Sequence, residues 1–396
     1  MKISLTREGV LYLLIVLAVF VGALFREVNT MLLFASFLCA PALLALHMGR
    51  RTIKGIHVQR TIPAQIFAGE PFLVGLTVTN SRPVKRFSLS CWGLVISDRI
   101  CRLHQEEVSA SEKPYQPAVY FSDVPNGATR HQSYAGCLPQ RGRYRFEQVQ
   151  ISTRFPFGFF RSRSDQTPIQ DRNEFFVYPK IGKLSNQWKA VQRRANESLQ
   201  RFRYRPSRQA GEFLGVRPWL HGDSKKGIHW RASAKHQAPV VRQYELHQHQ
   251  DYAVILDLYH EGDWDEAQRE SFELAVSFTA TLVTDWTWQG NANLFFATNN
   301  EPQEILYAPL SLLVRDQILQ RLTFAAPSPR DSLAETLLTI PAHHMSDIIF
   351  VTSGPVDIHT RFKELLEESR YRGFLKRFMV VNTSSREFDE FFSVSP

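Results

Sequence analysis

Asp223 and His229 stand six residues apart in the most distinctive stretch of the chain, Arg208 to Glu245, which reads RQAGEFLGVRPWLHGDSKKGIHWRASAKHQAPVVRQYE. A carboxylate and an imidazole on adjacent turns of backbone can exchange a proton, as acid–base catalysis requires. One hypothesis is therefore a hydrolase-type enzyme centred on Asp223 and His229, with His221 or Glu212 assisting. No nucleophile, metal set or oxyanion site stands at a fixed spacing from them.

The same two residues also have a structural interpretation. Asp223 follows Gly222 and is predicted to accept hydrogen bonds from amides two or three residues on, so starting a helix from Ser224 to about His236. Strands are predicted before and after that helix. The sequence contains no phosphate loop, Rossmann glycine pattern, Ser-x-x-Lys or histidine-rich zinc motif. We therefore predict a non-enzymatic protein that has no catalytic residue and no cofactor.

The run resembles the signature of domain-of-unknown-function family 58, in which Gly-Glu-Phe-x-Gly-Leu-Arg-x-Tyr precedes Gly-Asp and Ile-His-Trp-x-x-Ser/Thr-Ala-Arg. The chain departs from it at Lys225-Lys226-Gly227, at Trp219 and at Lys235. The resemblance implies a structural or partner-binding role for the motif residues. These are Gly211, Glu212, Arg217, Gly222, Asp223, His229, Trp230, Arg231 and Ser233.

Two apolar runs open the chain, at about residues 10–25 and 30–48, within a segment assigned to residues 1–50. The first would form a helix about 24 Å long, close to the thickness of a bilayer core. The flanks are basic (Lys2, Arg7, Arg50, Arg51, Lys54 and Arg60). Positive flanks stay inside, which predicts a hairpin in the inner, cytoplasmic membrane with both termini cytoplasmic. A cleaved signal peptide is the alternative, because Val21-Gly22-Ala23 resembles a cleavage site.

Short alternating strands follow, and residues 51–180 are predicted to form a β-sandwich-like domain. Strands are expected at Ile56–Arg60, Phe72–Asn80 and Phe87–Trp92. The aromatic run Phe155–Phe160, FPFGFF, is interpreted as closing this domain against the next region, with partner binding as the alternative.

A basic connector is predicted at residues 181–250, with a helix from Leu184 to Gln200. Residues 138–245 hold 22 Lys and Arg against 8 Asp and Glu, whereas residues from 246 onward hold 11 against 22. Such a region could dock on an acidic domain or protein partner. Anionic lipid and nucleic acid are the alternatives. Because no nucleic-acid recognition module accompanies the arginines, nucleic acid ranks last.

Strands and helices alternate over residues 251–396, which predicts a doubly wound, mainly parallel sheet. An aspartate, Asp257, closes its first strand, and the pattern resembles a von Willebrand factor A domain. Metal-binding members of that family carry Asp-x-Ser-x-Ser and a later Thr-Asp-Gly. Here the sequences are Asp257-Leu258-Tyr259-His260-Glu261 and Thr352-Ser353-Gly354. Since Mg²⁺ prefers six oxygen ligands, no metal site is predicted, and Asp257, Glu261 and Thr352 are only weak candidates.

The predicted fold class is therefore multidomain, with a transmembrane hairpin, a β-sandwich domain and an α/β von Willebrand factor A-like domain. The predicted function is that of a membrane-anchored scaffold or adaptor. The family resemblance implies that the partner is a MoxR-type AAA+ ATPase acting in the assembly of protein complexes.

Overall fold

A computed structural model describes residues 2–26, 29–82, 90–104, 107–108, 114–166, 174–193, 212–221, 223–245, 250–260, 262, 264–289, 292–299, 304–332, 335–336, 347–356, 361 and 378–394. The chain divides into two compact units, Met1–Lys180 and Ile181–Pro396. Two apolar helices lead into several β-sheets in the first unit, and an α/β region follows in the second.

Two helices begin the first unit, α1 (Arg7–Arg26) and α2 (Asn29–Ile53). Each is long and apolar enough to cross a membrane, which suggests membrane association. They are joined by a hydrogen bond of 2.6 Å from the Tyr12 hydroxyl to the Leu38 carbonyl. The last turns of α2 extend beyond the predicted span, and Thr52 and Ile53 are buried in the soluble part of the unit.

Thirteen strands of the first unit lie within the described residues. They are β1 (Lys2–Leu5), β2 (Ile56–Thr61), β3 (Ile66–Phe67), β4 (Pro71–Asn80), β5 (Cys91–Ser97), β6 (Ile100–His104), β7 (Glu107–Val108), β8 (Ala118–Val124), β9 (Thr129–Cys137), β10 (Gly142–Phe146), β11 (Val149–Thr153), β12 (Phe160–Gln166) and β13 (Glu174–Tyr178).

These strands form three sheets, ordered β1-β12-β11-β5-β8, β3-β13-β10-β6-β7 and β2-β4-β9. Alternate residues of β2 and β4 are buried. This is expected for strands with one solvent-exposed face, because successive side chains point to opposite faces of a sheet. Val58, Leu76, Leu94, Phe146 and Ile151, which come from all three sheets, belong to one hydrophobic core. The strands predicted at residues 56 and 72 are present. The third begins at Cys91, and residues 83–89 lie outside the described part.

The aromatic run contacts the first helix of its own unit. Phe159 stacks on Tyr12 of α1, with ring centroids 4.2 Å apart, and its carbonyl accepts a 3.0 Å hydrogen bond from the Thr6 amide. A Cβ on Gly9 would lie 2.1 Å from that carbonyl, so α1 can approach this closely only because residue 9 is glycine. The structure thus gives this run a packing partner, α1, that the sequence did not indicate, and closure against the next region stays a prediction.

Arg60 is also not a membrane-flanking surface charge. It is 2% exposed and pairs with Asp98 inside the first unit. The basic flank that follows α2 consequently depends on Arg50, Arg51 and Lys54.

The second unit contains both hairpin and α/β elements. They are β14 (Lys183–Leu184), α3 (186–193), β15 (Glu212–Pro218), a 3-10 helix (Lys225–Gly227), α4 (Trp230–His236), β16 (Val240–Glu245), β17 (Gln250–Leu256), α5 (Glu266–Gln289), β18 (Ala292–Thr298), β19 (Glu304–Pro309), α6 (Leu312–Phe324), β20 (Asp347–Thr352), β21 (Phe378–Asn382), α7 (Phe388–Phe391) and β22 (Phe392–Ser393).

The main sheet of this unit has the order β19-β18-β17-β20-β21. All its pairings are parallel except that of β18 with β19. The predicted alternation is therefore present, and the antiparallel edge strand β19 is an addition that the sequence did not indicate. Most of the arginines of the connector fall outside the described residues.

Candidate functional site

An ion pair joins the two ends of the loop that follows β15. Arg217 donates to Asp223 through both terminal nitrogens, at 2.6 and 2.8 Å, and the Leu220 amide donates to Asp223 at 2.9 Å. The arginine hydrogen bonds, followed by the Leu220 amide, lower the pKa of Asp223 to about 2. Asp223 is therefore a permanently ionised loop anchor at neutral pH.

Asp223 does not start the helix that follows. Ser224 caps the 3-10 helix by accepting from the Lys226 amide at 3.4 Å. α4 begins only at Trp230, where the Nδ1 atom of His229 accepts from the Ala232 amide at 3.1 Å. The prediction of one helix starting at Ser224 was wrong because the carboxylate of Asp223 is already taken by Arg217 and Leu220.

Ser233 links the start of α4 to β16 by hydrogen bonds. Its hydroxyl donates to the His229 carbonyl at 3.1 Å and accepts from the Val240 amide at 3.0 Å. The His229 amide in turn donates to the Val240 carbonyl at 2.9 Å. β15 and β16 are antiparallel, so the motif forms a closed unit between two paired strands.

The catalytic hypothesis gains no support from this geometry. Among the described contacts, the oxygens of Asp223 serve Arg217 and Leu220, while Nδ1 of His229 serves as a helix cap. His221 is exposed and its ring faces Trp219 edge-on. Glu212 lies in β15, but its side chain is not among the described parts of the structure. Gly211 and Gly222 lie outside the described residues.

The outward surface of the motif is cationic and aromatic. We call it the Trp230 surface. Residues 215–242 contain six Lys and Arg against one acid, Asp223. Trp230 is 70% exposed. The other exposed members of the surface are Leu220, Lys225, Lys226, Arg231 and Lys235.

We predict that Asp223→Asn loosens this hairpin in a pH-dependent way. Because the folded pKa lies near 2, below the ordinary 3.8, the ion pair should stabilise the loop above pH 4 and be lost as the pH falls from about 4 to 2. Hydrogen exchange of β15 and β16 should therefore be faster in the variant at pH 6. The control is Asp285→Asn, at a half-buried acid of α5, in which β15 and β16 should exchange like the parent. Equal protection in the parent and both variants would contradict the prediction.

A second cluster lies at the carboxyl-terminal edge of the main sheet, just after β17. Arg361 donates to both carboxylate oxygens of Asp257, at 2.6 and 3.2 Å, and to Asp331 at 2.7 Å. Asn299 donates to Asp257 at 2.6 Å. Asp257 is 3% exposed, so a buried carboxylate at this edge is paired with a guanidinium.

The positive charge of Arg361 is fixed by these partners. Burial by itself lowers the pKa of an arginine, but the hydrogen bonds and charges of Asp331 and Asp257 outweigh it and raise the pKa above its usual value. The guanidinium carbon also lies 5.1 Å from the ring centre of Tyr259.

Of the weak metal candidates, the structure describes Asp257 and Thr352, and both have partners within the protein. The Thr352 hydroxyl donates to the Gly354 carbonyl at 3.1 Å, Asp257 is held by Arg361, and Glu261 lies outside the described residues. Within the described ranges, no group of three or more His, Cys, Asp or Glu could hold a metal ion.

The sequence reasoning missed Asn299, Asp331 and Arg361. Asn299 follows directly after β18, the parallel neighbour of β17, so the rule that strand ends meet at one edge could have found it. Arg361 is 104 residues from Asp257, and no local pattern connects them.

The comparisons with known proteins identify a family over part of the chain. Residues 215–344 match the family model described as "Protein of unknown function DUF58", which confirms the resemblance seen in the signature run. No curated protein matches the chain.

Solved structures are similar only at a distance. The CARDB domain of a Pyrococcus furiosus protein is 10% identical over 31% of this chain and 92% of that domain, with a TM-score of 0.17. A β-glucosidase from Listeria innocua is 12% identical, covering 31% of this chain and 16% of the enzyme, with a TM-score of 0.19. The alkylpurine DNA glycosylase AlkC from Pseudomonas fluorescens is 15% identical, covering 36% and 40%, with a TM-score of 0.18. At such scores none of them supports an inference about this chain.

Proposed function

We propose that this chain, with its DUF58 region at residues 215–344, is a membrane-anchored, non-enzymatic scaffold that binds a protein partner. The partner we propose is a MoxR-type AAA+ ATPase. The proposed location is the inner membrane with both termini in the cytoplasm. Basic residues at the end of α2, Arg50 and Arg51, support that orientation by the positive-inside rule.

The main support for a partner-binding function is the exposed Trp230 surface. Tryptophan and arginine are the residues most enriched among those that dominate the energy of protein interfaces. Trp230 and Arg231 stand side by side at the start of α4, while Asp223, His229 and Ser233 are used to hold the loop and helix in place. The motif is thus suited to present a rigid, cationic and aromatic face to an acidic partner surface.

The cluster at Asp257 supports a binding role over a metal-dependent one. We propose that the α/β region is a von Willebrand factor A-like domain in which Arg361 supplies the positive charge that a divalent ion supplies in metal-binding relatives. A guanidinium has no open coordination position and no Lewis acidity toward a ligand. Adhesion in this chain would then depend on surface side chains.

Capture of a purified MoxR-type ATPase by the full-length, detergent-solubilised protein tests the function. Trp230→Ala should weaken binding by about tenfold or more, as expected for a central aromatic contact of about 2 kcal/mol. Trp288→Ala provides the matched control, because Trp288 is a 76% exposed tryptophan at the end of α5. An ATPase that binds the Trp230 variant and the parent equally well, or fails to bind the parent, would refute the proposal.

A further inference from the structure

An open cavity of about 590 Å³ lies on the outer face of the sheet β1-β12-β11-β5-β8. Its lining includes Trp92, Tyr120, Arg154, Phe155, Gly158 and Arg161. It is separate from the Trp230 surface and from Asp257, which belong to the second unit.

Arg154 and Arg161 line the cavity, and further basic side chains lie next to it. Arg163 lies on the same face of β12 as Arg161, and Lys2 of β1 is directly opposite Arg163. Burial first, and then the charges of Arg154 and Arg163, lower the pKa of Arg161. In the described part of the chain neither Arg161 nor Arg163 forms an ion pair, and the buried Nε of Arg163 has no hydrogen-bond partner.

Acids are sparse around this cluster. Glu8 acts electrostatically on Arg154, and Asp165, further along β12, accepts a hydrogen bond from Gln150 at 3.2 Å. The site therefore favours an anion that can take several arginine hydrogen bonds at once, which is the chemistry of a phosphate group.

Part of the lining is aromatic and accessible. Trp92 is 46% exposed and Tyr120 is 61% exposed, and the Trp92 ring stacks on Phe155 with centroids 6.4 Å apart. Tryptophan and tyrosine are enriched where a protein meets the headgroup level of a membrane, because each has an apolar ring and a polar edge.

The position of the cavity relative to α1 identifies the source of the phosphate. The loop that forms its floor is attached to the first turn of α1, since the Thr6 hydroxyl donates to the Gly158 carbonyl at 2.6 Å. Beyond that turn the exposed surface of α1 becomes apolar, with Val10, Leu11 and Leu14. The cavity thus lies where a helix long enough to span a bilayer enters it.

We propose that this cavity binds the phosphate headgroup of an anionic phospholipid in the leaflet where α1 begins. Arg161 and Arg163 pair with the phosphate, Arg154 contacts the outer part of the headgroup, and Trp92 and Tyr120 flank the glycerol region. The lipid would fix the depth and rotation of the sheet against the membrane.

The test titrates phosphatidylglycerol into the purified full-length protein in a neutral detergent and counts bound lipid by native mass spectrometry. Arg161→Ala should weaken binding roughly fivefold, and combining it with Arg163→Ala should weaken it further, since each cation near a lipid surface contributes about a factor of five. Arg99→Ala is the control, because Arg99 follows the opposite end of β5 from Trp92 and pairs with Glu147. This variant should bind lipid as tightly as the parent does.

Two further arms distinguish the sources of the phosphate. Phosphatidylcholine should bind more weakly than phosphatidylglycerol, and millimolar glycerol 3-phosphate should not displace the lipid. Equal binding of both lipids, displacement by glycerol 3-phosphate, or lipid affinity unchanged by the arginine variants would each overturn the proposal. If Arg161→Ala does not fold, Arg154→Ala at the exposed rim provides the same comparison.

Discussion

Replacing Asp98 with alanine is expected to destabilise the first unit by about 3–5 kcal/mol, the usual cost of leaving one member of a buried ion pair without its partner. The side chains of Arg60 and Asp98 are both fully buried. Arg60 donates to Asp98 through Nε at 2.9 Å and again through a terminal nitrogen. The variant would leave the guanidinium charged and unpaired in the core.

The neighbours of the pair increase this cost. The Tyr134 hydroxyl donates to Asp98 at 2.8 Å, and burial, together with the charge of Asp98, raises the pKa of Tyr134 well above its usual value. The guanidinium carbon of Arg60 lies 4.0 Å from the centre of the Phe146 ring. Removing Asp98 therefore disturbs β2, β9 and β10 together.

Calorimetry of the full chain in detergent would measure the effect as a fall of roughly 10 °C in the transition of the first unit. Asp123→Ala is the control, because Asp123 forms an exposed pair with Arg130 at 3.5 Å and should cost less than about 1 kcal/mol. The double change Arg60→Met with Asp98→Leu should be better tolerated than Asp98→Ala. A loss below 1 kcal/mol for Asp98→Ala would show that the pair does not hold the sheets together.

Arg361→Ala is expected to destabilise the second unit by about 3 kcal/mol, because the buried Asp257 side chain would lose its guanidinium partner. Asn299 would remain as a donor to that carboxylate, so the loss should be smaller than for Asp98. The measurement is the thermal transition of the second unit together with hydrogen exchange in β17 and β20.

The same experiment tests the role of the guanidinium as an internal cation. Millimolar Mg²⁺ should leave the melting temperature of the parent unchanged, since Arg361 already neutralises Asp257. Arg330→Ala, at an exposed pair with Glu335, should behave like the parent. A clear rise in the melting temperature of the parent with Mg²⁺ would contradict our assignment of this edge.

Much of the architecture could be predicted from local pattern. The two apolar runs are continuous in the sequence. The two-residue alternation of β2 and β4 and the strand–helix alternation after residue 251 follow from burial over a few residues. The signature run likewise indicated the resemblance that the family model matches over residues 215–344. Element boundaries were less accurate, as the separate start of α4 at Trp230 shows.

The sequence by itself determined which segments are apolar helices, which are strands and where the basic and acidic regions lie, because those properties depend on neighbouring residues. Only the tertiary structure decided what the charged groups do. It pairs Arg60 with Asp98 in the core, Asp223 with Arg217 in the loop after β15, and Asp257 with Arg361 at the sheet edge. Hydrogen bonds and ion pairs act over about 3 Å in space. The chain brings Arg361 to Asp257 across 104 residues and Thr6 to Gly158 across 152.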